Sequence, residues 1–131
     1  METYIIKLSN SITLEKSNED YINECCQDCD VLLNLIKPDI IKEFQITDIE
    51  IGQEDWGWYL IFIKDNLNYN LHLSFNIEQP ELSEFLFYCF VNKVEKKFLF
   101  SKKTEVLEET HNFEERIKLI LKKFGSISAN N

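Results

Sequence analysis

Apolar and polar positions along the chain follow two periods, and the switches between them predict the elements. Tyr4, Ile6 and Leu8 recur at every second residue and predict a strand over residues 3–8. From Ile22 the apolar positions (Cys25/Cys26, Cys29, Leu32/Leu33, Ile36) fall at helical spacing, with Glu24, Asp28 and Asn34 mostly off the stripe. Ser17, three residues before Asp20, suits an N-cap. Pro38 sets the expected end, because Lys37 before it is pushed out of the helical region. Beyond Pro38 the period returns to two. Phe44 and Ile46 lie in one phase and Ile49 and Ile51 in the other, so a bulge or bend is expected at Thr47-Asp48.

The stretch Gly52–Ile63 carries both tryptophans and then an unbroken apolar run. Alternation places Trp56, Trp58, Leu60 and Phe62 on one face, and Gly57, Tyr59, Ile61 and Ile63 on the other. Apolar on both faces, it reads as a central strand of a covered sheet. After a turn at Lys64–Asn68, Tyr69, Leu71, Leu73, Phe75 and Ile77 alternate with Asn70, His72, Ser74 and Asn76, as in a half-exposed antiparallel strand. Phe85–Val91 is again apolar on both faces, Asn92–Lys97 reads as a charged turn, and Phe98–Phe100 starts a returning strand. Phe113, Ile117, Ile120/Leu121 and Phe124 form a helical stripe, with Thr110 or Asn112 as cap and Gly125 at its far end. Short links between successive strands favour antiparallel pairing. The expected fold is a single α+β domain over residues 1–125. It has a mostly antiparallel sheet of about five to six strands, a helix in the N-terminal half and a C-terminal helix packed on it. Residues 126–131 are expected to form a loose tail.

Length and composition narrow the function. At 131 residues, 13% aromatic, with three Gly and two Pro, the chain can bury one core without crosslinks. Its formal charge is −9, from 23 acidic and 14 basic residues, and Arg116 is the only arginine. That balance disfavours nucleic acid and anionic membranes as partners and favours a basic protein, whose encounter it would steer. No run approaches the roughly 20 apolar residues of a membrane span, and the N-terminus is not that of a signal peptide, so a cytoplasmic protein is expected.

Candidate chemistry is sparse. Cys26 and Cys29 form a C-x-x-C, but the acids Glu24, Asp28 and Asp30 around it would raise a thiol pKa, whereas redox pairs need it lowered. Neither Cys89 nor the two histidines complete a close-spaced zinc set. The four cysteines therefore read as core residues, and no metal or cofactor is expected. His72, on the polar face of its strand, and His111, ahead of the second helix, read as surface histidines, with no nucleophile at a fitting spacing. The acids are more informative. Asp48, Glu50, Glu54 and Asp55 flank the tryptophan segment, and with Trp56 they are the expected partner-binding residues.

The segment Glu54-Asp55-Trp56-Gly57-Trp58-Tyr59-Leu60 resembles immunity proteins of bacterial polymorphic toxin systems, notably those of contact-dependent growth inhibition. The resemblance covers about ten residues. It implies a small, acidic, non-enzymatic cytosolic protein that binds a cognate toxin domain, often a nuclease, and blocks its active site or a neighbouring exosite. Two other classes stay open: a small enzyme pairing His72 or His111 with a carboxylate, and a non-catalytic adaptor that assembles through a sheet edge or an aromatic patch.

Overall fold

The computed structural model describes residues 2–12, 28–97 and 100–130. In chain order the elements are β1 (Tyr4–Leu8), α1 (Cys29–Phe44), β2 (Glu50–Glu54), β3 (Gly57–Lys64), β4 (Leu67–Phe75), β5 (Glu84–Lys97), β6 (Phe100–Glu105), α2 (Leu107–Leu121) and β7 (Gly125–Ala129). All strand pairs are antiparallel, in the order β2-β3-β4-β5-β1-β7, with β6 beside the far end of β5. The chain is a single α+β domain, and its described residues place two α-helices on one antiparallel sheet.

The core lies between the sheet and both helices. Leu60 and Phe62 of β3, Leu71 and Leu73 of β4, and Phe87 and Val91 of β5 are buried on one face. Against them pack Leu33, Ile36, Ile40 and Phe44 of α1 and Phe113, Ile117, Ile120 and Leu121 of α2. Phe44, Phe62, Tyr69 and Phe113 form one aromatic knot, with centroids 4.8 to 6.2 Å apart. Arg116 fastens the two helices from outside. Its guanidinium lies 4.0 Å over the Phe44 ring and donates to the Glu43 carbonyl at 2.7 Å and to Glu43 Oε1 at 3.1 Å.

Several local expectations are corrected. The proposed start of the first helix, at Ser17, lies outside the described residues. Its expected end does not hold: α1 runs through Pro38 to Phe44 and stops at Gln45, which takes the left-handed conformation. Proline removes one backbone donor, at a cost of about 3 kcal/mol in a helix interior. Continuing past it buries Ile40 and Phe44 on the same stripe as Leu33 and Ile36, which offsets that cost.

Gly52–Ile63 is not one strand either. β2 and β3 form a hairpin in which Glu54 pairs with Gly57 across Asp55-Trp56. β3 is next to the sheet edge, and only one of its faces is covered by a described helix. Asn92–Lys97 is no turn but the continuation of β5, pairing with β6 so that Lys97 meets Phe100.

The supposed loose tail contains β7, whose residues 125–129 pair with β1, from Leu8↔Gly125 to Tyr4↔Ala129. Five residues with few large side chains look like a tail until a neighbouring strand offers them a hydrogen-bond ladder. The cap of α2 also differs. Val106 precedes the helix, and Thr110 instead bonds to β5, its hydroxyl accepting from the Val91 amide at 2.9 Å.

Candidate functional site

The second face of the sheet is covered by neither described helix, and its register builds the site. Tyr59, His72 and Tyr88 stand in one cross-strand row of β3, β4 and β5, and Ile61, Asn70 and Phe90 in the next. Directly opposed side chains on one face are close enough to touch. Trp56, at the β2–β3 turn, folds back and stacks on the His72 ring, with centroids 4.5 Å apart and planes 17° from parallel. Tyr88 and Phe90 close around the same imidazole at 4.7 and 5.1 Å. Beside this cluster, Thr3, Trp56, His72, Ser74, Leu86 and Tyr88 line a small cleft of about 120 Å³.

His72 is therefore not the surface histidine of the polar alternation. Its Nδ1 lies 2.6 Å from the Tyr88 hydroxyl. Burial pushes its pKa down to about 4, so the ring is neutral at physiological pH. Burial likewise raises the Tyr88 phenol, keeping its proton in place. Asn70 is only 6% exposed although no described helix lies over it. Its amide donates to the Asn68 and Phe90 carbonyls at 3.2 and 3.4 Å, so the polar group is satisfied within the sheet.

The acids rim this patch. Glu50, Gly52 and Glu54 oppose Ile61, Tyr59 and Gly57, which puts both glutamates on the open face. A Cβ at Gly52 would come within 2.4 Å of the Tyr59 hydroxyl. Glycine there lets the Tyr59 ring lie across β2 and donate to Glu50 Oε1 at 3.3 Å. The Tyr59 phenol is raised by burial first, then by the charge and hydrogen bond of Glu50 and the charge of Glu54.

Of the five residues expected to bind a partner, Glu50, Glu54, Asp55 and Trp56 share this corner. Trp56 is 41% exposed even while stacked. Asp48 lies one step away. It lines a groove of about 490 Å³ at the sheet edge with Lys37, Thr47, Ile49, Glu50 and Ile63. Glu50 belongs to both sites.

The sequence pointed to His72 only as a surface histidine or a candidate base, and gave no sign of Tyr59, Leu86, Tyr88 and Phe90 around it. The even-numbered apolar positions of Phe85–Val91 held the signal, but which residues they face depends on register.

The other candidates do not assemble. His111 is exposed on α2 and takes no part in the His72 cluster. Cys29 and Cys89 are buried, and burial holds the Cys89 thiol well above its usual range. Cys25 and Cys26 lie outside the described residues. Among the described residues no group of three His, Cys, Asp or Glu side chains could hold a metal ion, and no helix is long and apolar enough to cross a membrane. No known protein family, curated protein or solved structure matches the chain.

Proposed function

We propose that this protein is a cytoplasmic, non-enzymatic immunity protein that binds a basic toxin domain, with a nuclease the favoured class, through the open face of its sheet. One observation carries the reading. An aromatic cluster built on His72, with Trp56 half in solvent, lies beside Glu50, Glu54 and Asp55 on a face that no described helix covers. Exposed aromatics supply the desolvated anchor of an interface, and rim acids supply steering toward a cationic partner. The net charge of −9 extends that steering over the whole molecule. Within the cluster, His72 meets a phenol where an acid–base enzyme would place a carboxylate, which turns the weight toward binding.

The test is co-expression with a basic toxin domain encoded immediately upstream. Growth should be restored by the native chain and lost when Trp56→Ala is combined with Glu54→Lys and Asp55→Lys in a folded variant. Failure of the native chain to protect against that domain sinks the reading. Protection that survives the triple variant moves the interface away from this corner.

A further inference from the structure

We propose that the cleft where α2 hands over to β7 is a binding site for a phosphate group. This cleft, about 390 Å³, opens at the end of the sheet and shares no lining residue with the aromatic cleft. Lys7, Ser9, Asn10, Lys122, Lys123 and Ser126 supply its polar lining, and among the described residues no carboxylate lines it. In a chain with 23 acidic residues against 14 basic ones, that is a local reversal of sign. The three lysines, all exposed, reach one lining from two distant segments because β1 and β7 pair with Lys7 opposite Ser126 and Leu8 opposite Gly125.

Gly125 makes the approach possible. A Cβ there would stand 2.1 Å from the Lys7 carbonyl oxygen, so any other residue would force the strands apart and widen the cleft.

A helix C-terminus ordinarily repels an anion through its bare carbonyls. Here three of the last four carbonyls of α2 are already engaged. Lys118, Ile120 and Leu121 accept from the amides of Lys122, Lys123 and Phe124, and the Phe124 carbonyl accepts from Ser9. Lys122 and Lys123 also suit the end of a helix on electrostatic grounds, but Lys7 comes from β1 and has no such reason to face them. Of the three, Lys123 makes an ion pair with Asp39 at 3.8 Å, and among the described residues Lys7 and Lys122 make none. Ammonium donors with the Ser126 hydroxyl and the Asn10 amide match the several acceptor oxygens of a phosphate, while the Ser9 hydroxyl shares a hydrogen bond with that of Ser11 at 2.9 Å. Two sources share that chemistry: the terminal phosphate of a small metabolite and the backbone of a nucleic acid.

Amide NMR shifts of the full chain, titrated at low ionic strength, separate the cases. Inorganic phosphate should give saturable shifts at Ser9, Asn10, Gly125 and Ser126. Lys7→Gln and Lys122→Gln should each weaken binding about tenfold, and Lys102→Gln, on β6, should leave it unchanged. A short single-stranded oligonucleotide without terminal phosphates forms the second arm. Shifts of the same amides at lower concentration assign the site to backbone phosphate, and a silent second arm assigns it to a terminal phosphate. No saturable shift up to about 50 mM phosphate, or shifts unchanged in the Lys7→Gln/Lys122→Gln double variant, would overturn the proposal.

Discussion

One sheet presents two faces of opposite design. On the covered face, Leu60, Phe62, Leu71, Leu73, Phe87 and Val91 are at most 2% exposed, because two helices lie over them. On the open face Trp56, His72, Tyr88 and Phe90 shield one another laterally, ring against ring, and remain partly in contact with solvent. The first arrangement converts apolar area into stability. The second holds aromatic area in a fixed shape with its outer surface still wet, so a partner can complete its burial. The same residue types thus build a closed core on one side and a part-exposed cluster on the other, and the helices decide which.

The largest expected effect lies on the covered face. Phe113→Ala removes the ring that three other aromatics pack against and should cost about 3–5 kcal/mol, read from the midpoint of urea unfolding. A loss below about 1 kcal/mol would break the contrast between the faces.

Trp56→Ala should do the reverse. Stability should change by no more than about 1 kcal/mol, since the lost stacking is of that order. If the proposed function holds, affinity for the cognate toxin domain should fall by about 2 kcal/mol or more, roughly 30-fold, by calorimetry. Equal losses in both measurements would make Trp56 a structural residue.

Tyr4→Phe probes a polar pair on the covered side. The Tyr4 hydroxyl donates to Glu114, which is only 8% exposed. Deleting the donor leaves a carboxylate without it and should cost about 1–3 kcal/mol of stability.

The smallest effect is a pH dependence on the open face. Unfolded His72 titrates near 6.5 and folded His72 at about 4, so as pH falls the unfolded chain takes up the proton first. Its contribution to stability is intact above pH 6.5, declines between 6.5 and 4, and changes no further below 4. The partial exposure of the ring discounts the full shift to on the order of 1 kcal/mol. The decline in urea midpoint between pH 6.5 and 5 should be shallower in His72→Gln. Parallel curves for the two proteins would place the ring in a more polar setting than the cluster provides.

Much of this was legible in residue order. The alternation of Tyr69–Phe75 predicted β4, and it separated Leu71 and Leu73 inside from Asn70 and His72 outside. The stripe Phe113, Ile117, Ile120 and Leu121 predicted α2 and its buried side. Asp65 and Asn66, both at positive φ, made the two-residue turn that their side chains favour. Such features are local, because a period or a turn is written within about ten residues.

What the chain order left open depended on partners far away in sequence. Pro38 could stay inside α1 because the sheet rewards burying Phe44. Residues 125–129 became a strand because β1 had an edge to pair with. His72 looked like a polar-face histidine and is the centre of an aromatic cluster, since strand pairing brings Tyr88 and Phe90 to it and a hairpin turn brings Trp56. Period and charge by themselves determined an acidic α+β domain with a tryptophan-bearing segment. Which aromatics are core and which are surface was decided only by register and by the layer the helices form, because burial belongs to neighbours in space and not to neighbours in the chain.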